Sequence, residues 1–275
     1  MNLFHSTILR APAAMLAFAI ALALPISASA DPDAAISAKE LASRLSSRQE
    51  GSAYIRLRME IQQPGEAGRA TLQIQVKERR SRGNADIAYQ VIWPKDRKGE
   101  ALLLHKSAGR PASGTIFMPP DKLKTLGPSQ MSETIFGSNL SYEDVIDDFF
   151  AWDSQTLAGN ENVNGVNCAI LESRPGKGEH SQYTSVRSWI DPRRLVPLKV
   201  EKYSGQRVIR HIETTRVASD DKGRPIPANL TIRGGREDSV TEIDGSKIKH
   251  DVSFSDREFT PEGLKEVSPP RAEPE

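Results

Sequence analysis

Between Ile55 and Phe254 the chain returns repeatedly to a two-residue rhythm, and that rhythm limits the fold more than any other feature. Ile55, Leu57, Met59 and Ile61 alternate with Tyr54, Arg56, Arg58 and Glu60, the period of an extended strand with one face buried and one wet. After a turn at Pro64 to Gly68, Leu72, Ile74 and Val76 alternate with Gln73, Gln75 and Lys77, so the second strand pairs antiparallel with the first. Ile87, Tyr89, Val91 and Trp93 form a third run ended by Pro94, and Leu102 to His105 and Thr115 to Met118 form a fourth and a fifth. Segments 165–172, 183–190, 198–203, 208–217, 225–232, 239–243 and 248–254 continue the pattern, divided by turns such as Ser204-Gly205. The total is about twelve strands. Helical spacing is confined to Ile36, Leu41 and Leu45 near the start, and to Ser141 to Trp152. In the second stretch Ser141 and Asp144 form a capping box ahead of Val145, Ile146, Phe149 and Phe150. Many strands, few helices and short turns exclude alternating βα units and predict a single curved antiparallel sheet or barrel.

The ends of the chain read differently. Residues 1–30 carry Arg10, then an apolar run from Ala11 to Ile26, and close on Ala28-Ser29-Ala30, the form of a cleaved secretory signal peptide. A mature chain starting at Asp31 and residing in the periplasm is the expectation. The last ten residues, 266–275, are rich in proline and charge and are expected to be a disordered tail. The domain expected between these ends is 31–265. The chain has 37 basic and 36 acidic residues, a balance that argues against nucleic acid as a partner. The single cysteine, Cys168, lies in an apolar run and reads as a buried small side chain.

Catalytic signatures are missing from the sequence. There is no GxSxG, HExxH, GxxxxGK[ST] or CxxC motif. His105, His180, His211 and His250 are scattered among strands and turns, without metal-ligand spacing. Glu143, Asp144, Asp147 and Asp148 form an acidic cluster. Asp144 suits a cap, and acids are favoured in the first turn of a helix. No enzyme activity, cofactor or metal is expected, and a monomer is.

The stretch Gly114 to Trp152 organises the rest. A strand-like run, Thr115 to Met118, breaks at Pro119-Pro120 because proline has no N–H for a sheet ladder. A polar crossing follows, then Phe136-Gly137-Ser138-Asn139-Leu140-Ser141-Tyr142-Glu143-Asp144-Val145. These residues, with YTSVRSWIDP at 183–192 and VPLKVEKY at 196–203, resemble the signatures of the LolA-like family of outer-membrane lipoprotein-sorting proteins. Asn139-Leu140 stands where that family commonly has Asp and an aromatic.

The resemblance implies an unclosed, mainly β barrel whose concave face is covered by short helices, with an apolar cavity between. The alternation alone fits equally a core filled by its own side chains. The resemblance further implies a periplasmic carrier, or chaperone, for lipids or lipoprotein acyl chains bound for the outer membrane, with an inner-membrane export complex as the donor. Each buried methylene of such a chain contributes about 0.8 kcal/mol, so free diffusion through water is excluded and an openable enclosure is needed. Met131 to Trp152 is expected to be the lid of that enclosure. The residues expected to touch acyl chains are Ile55, Leu57 and Met59 in the first strand, Leu72, Ile74 and Val76 in the second, and Ile87, Tyr89 and Val91 in the third. Phe117 is expected to join them, with Phe136, Phe149, Phe150 and Trp152 from the lid. Two other functions stay open: a lipid-sensing regulatory module on the same scaffold, and an envelope hydrolase using the acidic cluster.

Overall fold

The computed structural model describes residues 36–63, 68–234, 236–267 and 269. The expected signal peptide, most of the turn at Pro64 to Gly68 and most of the expected C-terminal tail (268 and 270–275) lie outside the described residues.

Helix α1 (Ala38–Ser47) is capped by Ser37, whose hydroxyl accepts from the Glu40 N–H at 3.2 Å. It buries Leu41, Ala42 and Leu45, the stripe that the near-helical spacing predicts. The strands then run β1 (Gly51–Gln62), β2 (Arg69–Ser81), β3 (Asn84–Trp93), β4 (Ala101–Lys106), β5 (Ser113–Met118) and β6 (Lys122–Leu126). After a crossing segment that holds α2 (Tyr142–Ile146) come β7 (Ser154–Val163), β8 (Val166–Arg174), β9 (Ser185–Asp191), β10 (Val196–Ser204), β11 (Arg207–Ser219), β12 (Pro225–Gly234) and β13 (Arg236–His250).

All thirteen strands make one antiparallel sheet in the order β6-β5-β4-β3-β2-β1-β13-β12-β11-β10-β9-β8-β7. The sheet is not closed, since β6 and β7 are its two borders. The chain therefore walks from the middle to one border, crosses to the other, and walks back until β13 pairs with β1. The fold class read from the sequence is the one observed.

The elements differ from the sequence reading in three places, two among the strands and one in a helix, each with a physical reason. Border strands β6 and β7 carry little apolar patterning; every residue of β6 except Leu126 is exposed, and β7 is exposed along nearly its whole length. A border strand pairs on one side only and needs little burial to form. Segments 239–243 and 248–254, read as two strands across Gly245, are one strand that ends at His250. A bulge opposite Arg56 and Arg58 takes up the extra residues. The expected helix from Ser141 to Trp152 is two pieces, α2 and a 3₁₀ turn at Phe149–Ala151. Asp147 is extended, and the Asp148 carboxylate caps the second piece through the Phe150 N–H at 3.1 Å.

Strand alternation sends side chains to two faces. Met59, Leu72, Ile74, Ile87, Leu102 and Leu104 project to the inner face, where Met131, Ile135, Leu140 and Ile146 of the crossing segment pack on them. On the outer face Ala88, Ala101, Leu103 and Phe117 are covered by Phe259 and Leu264, from short 3₁₀ turns near the C-terminus. Gln90 fastens this cover by donating to the Leu264 and Glu266 carbonyls, each at 3.0 Å. Glu266, placed in the tail by the sequence reading, is thus part of the packed structure. The Arg79 guanidinium lies 4.7 Å from the Phe259 ring centre. Phe259→Ala is expected to lower stability by about 3 kcal/mol, the cost of emptying a buried phenylalanine site. Urea denaturation of the variant and the unaltered protein checks it.

Candidate functional site

The segment from Gly127 to Asp153 is the natural focus, because it is the part of the chain that lies across the inner face. A loop at its centre is closed by the Ile135 N–H donating to the Leu140 carbonyl at 2.9 Å. Phe136 and Gly137 turn the loop with φ of 52° and 83°. The left-handed value is free for glycine and strained for phenylalanine.

Asn139, which stands where an acid is common in LolA-like sequences, pins this loop to β12 and β13. It is buried. Its N–H donates to Thr241 Oγ1 at 2.9 Å, and Thr241 Oγ1 donates back to Asn139 Oδ1 at 2.9 Å. Its amide nitrogen donates to the Gly234 carbonyl at 2.5 Å and to Ser239 Oγ at 2.7 Å. An aspartate would present only acceptors to these partners, so asparagine suits the position.

Helix α2 fixes the other half of the segment electrostatically. The capping box read from the sequence is present: Ser141 Oγ accepts from the Asp144 N–H at 3.2 Å, and the Ser141 N–H donates to Asp144 Oδ2 at 2.7 Å. The same carboxylate does more than cap. With no exposed side-chain surface, it takes Lys202 Nζ at 2.7 Å, Arg210 Nε at 3.0 Å and the Tyr183 hydroxyl at 2.6 Å. Burial alone would lift the Asp144 carboxyl, but Lys202 and Arg210 outweigh it and hold it at about 2, below its ordinary 3.8. One turn on, Asp147 binds Lys106, and Glu143 accepts from Ser181 Oγ and from the Gln182 N–H at 3.1 Å. Burial raises both the Glu143 and the Asp147 carboxyls. Arg80 donates to the Val145 and Ile146 carbonyls at 2.7 and 3.1 Å, where the helix has no bond of its own to offer. Asp144 and Asp147 therefore fasten the crossing segment to the sheet, Glu143 ties it to the loop between β8 and β9, and Asp148 accepts from Ser46 of α1 at 2.5 Å.

Sequence reasoning missed Lys202 and Arg210, although a signal existed. Val200 and Lys202 share one face of β10, and Ile212 and Arg210 share the same face of β11, directly opposite them. A charge on the apolar parity of two neighbouring strands marks a buried partner on whatever covers them.

The residues expected to touch acyl chains fall into four groups. Met59, Leu72, Ile74, Val76, Ile87 and Val91 are buried on the inner face, with Ile55, Leu57, Tyr89 and Phe136 half-buried against them. Phe150 lies under α1 with Leu41, Leu45, Leu171 and Ile190. Trp152 packs on Tyr183, Val186 and Val200, and Phe149 touches both of these neighbourhoods. Phe117 points to the outer face, beside Phe259, because it alternates with the inward Ile116. Inner-face residues are packed against the crossing segment, so the sheet is closed over in this conformation.

Between α2 and the turns that join β2 to β3 and β4 to β5, a cleft of about 870 Å³ opens. Its acidic wall includes Glu143, Asp147 and Asp148 from the crossing segment, and its basic wall Arg80, Arg82 and Lys106 from β2 to β4. Ala85, Met131 and Ile146 line it too, and all three belong to the inner apolar cluster. Among the described residues, four buried side-chain atoms lack a hydrogen-bond partner: Asp147 Oδ2, Trp152 Nε1, Ser188 Oγ and Arg210 Nη1. The first two belong to residues of the cleft wall.

An unclosed antiparallel sheet whose inner face is crossed by one helix-bearing segment is the LolA-like fold. A DUF1329 family protein from Desulfovibrio piger is similar at 24% identity with a TM-score of 0.75, over 82% of this chain and 97% of that one. A domain from Vibrio parahaemolyticus described as an outer membrane lipoprotein-sorting protein matches at 20% identity and TM-score 0.73, over 83% and 98% of the two chains. A LolA superfamily protein from Nitrosomonas europaea matches at 19% and 0.66, over 83% and 100%. No curated protein matches the sequence. A protein-family model with the description "Uncharacterized protein" matches residues 83–266, and the chain belongs to that family.

Proposed function

We propose that the protein is a periplasmic carrier that holds acyl chains of lipids or lipoproteins between the inner face of the sheet and its crossing segment. The observation that carries this reading is the cover itself: over β1 to β4 a wide apolar sheet face is closed by one crossing stretch of chain, fastened at Asn139 and at α2, while α1 covers the β8–β9 part. A second sheet would close such a face permanently, whereas a polar-pinned strap can leave and return. The acyl chains would take the place of Met131, Ile135, Leu140 and Ile146 on the sheet. The neighbours from Vibrio and Nitrosomonas share the fold, which supports the reading. Among the described residues no helix is long and apolar enough to cross a membrane.

A fluorescent fatty-acyl probe should bind the purified protein with saturable affinity, and the protein should move labelled lipid between two vesicle populations. A protein that takes up no probe is not a carrier. Asn139→Ala removes the side-chain pin, taking away the Oδ1 acceptor of the Thr241 hydroxyl and the amide donor to the Gly234 carbonyl, at a cost of about 2 kcal/mol. The strap should then detach more often, and stopped-flow probe uptake should become about tenfold faster if detachment limits entry. Unchanged uptake in that variant would show that chains enter by another route.

A further inference from the structure

We propose that the cleft beside α2 receives a zwitterionic headgroup bearing both an ammonium and a phosphate, the chemistry of an aminophospholipid. The proposal rests on the carrier reading, since the acyl chains of such a lipid would run from the cleft under the crossing segment.

Three observations lead there. Asp147 and Trp152 are 7% and 4% exposed. In Asp147, Oδ1 takes Lys106 while Oδ2 has no partner; in Trp152 the indole N–H has none. Native proteins rarely leave such groups unmatched, and together they offer one charged acceptor and one donor beside the same cleft. Secondly, the walls carry opposite charge. Arg80 and Lys106 are occupied by partners within the protein, but the exposed Arg82 guanidinium at the rim makes no ion pair or hydrogen bond among the described residues. Thirdly, Met131 and Ile146 join the floor of the cleft to the inner apolar face, which is the connection an amphiphile needs.

The charges select among headgroups. In this assignment the ammonium pairs with the Asp147 carboxylate, whose Oδ2 is enclosed in this conformation, and the phosphate pairs with Arg82 at the rim, with the enclosed Trp152 N–H as its second donor. A phosphatidylglycerol headgroup satisfies the basic wall and leaves the Asp147 carboxylate as it was. A free amine does the reverse. Leaving one charged group unmatched is expected to cost about tenfold in affinity.

The test is calorimetric titration of the purified protein with water-soluble short-chain phosphatidylethanolamine, short-chain phosphatidylglycerol and an N-acyl dipeptide. The expected order places the ethanolamine lipid about tenfold tighter than the other two. Asp147→Asn should reduce the ratio of the two lipid affinities to near one, and Arg82→Ala should weaken both lipids. Arg82 is exposed, so the second variant keeps the test valid if the first fails to fold. Equal affinity for the two lipids in the unaltered protein, or tighter binding of the acyl dipeptide, overturns the proposal. Glycerophosphoethanolamine, which has no acyl chains, separates the two readings. If it binds where a fatty-acyl probe does not, the cleft assignment stands and the carrier reading falls; if the probe binds and lipid headgroups are not distinguished, the reverse holds.

Discussion

Asp144→Asn should lower the unfolding free energy by about 4 kcal/mol, because it leaves the Lys202 and Arg210 charges buried without the carboxylate that ion-pairs both. Both side chains are themselves almost fully enclosed, at 4% and 6% exposure, so water cannot replace the lost partner. Exchanging Asp144, Lys202 and Arg210 together for Leu, Met and Met should recover most of that loss, since the desolvation cost disappears along with the attraction. The sign of the pH dependence follows from the depressed carboxyl. A group held at about 2 in the folded protein and 3.8 when free contributes its full stabilisation above 3.8 and loses it as pH falls toward 2. The stability difference between the unaltered protein and Asp144→Asn should therefore be constant at neutral pH and shrink through that window. Urea titrations at a series of pH values measure it, and a difference that grows on acidification would refute the assignment.

Gly234→Ala should be nearly as damaging, at about 4 kcal/mol, from two additive causes. Gly234 has φ of 119°, a region closed to other L-residues, and an added Cβ would stand 2.3 Å from the Ile209 carbonyl oxygen on the neighbouring strand. Neither side of that contact is a flexible side chain, so the end of β12 must move. Its own carbonyl accepts from Asn139, and the movement should loosen the strap as well as the sheet. A lowered thermal midpoint accompanied by faster acyl-probe uptake is the expected pair of results. A lowered midpoint with unchanged uptake would confine the effect to the sheet.

How much of this was legible beforehand depended on how each element is stabilised. Strands that bury one face, such as β1, β2 and β3, show their alternation plainly because every second side chain must leave water. Border strands β6 and β7 do not, since partnering along the backbone suffices for them. The cap at Ser141 was legible because its two residues are three apart in sequence. The roles of Asp144 toward Lys202 and of Asn139 toward Thr241 were not, because their partners lie 58 and 102 residues away and only the strand register brings them together. Phe117 illustrates the limit from the other side. Its apolar character predicts burial, but the face it occupies is covered by Phe259 and Leu264, which lie about 140 residues further along the chain.

The seam between β1 and β13 has a bearing on how the molecule is made. A polypeptide emerging N-terminus first presents β1 early, yet one flank of that strand finds its mate only when the last strand appears. Until then a twelve-residue hydrogen-bonding margin stands open at what will become the centre of the sheet, where a neighbouring nascent chain could add itself instead. Assembly of this protein is therefore expected to be slow and concentration-sensitive, and to gain from any factor that shields that margin until synthesis is complete.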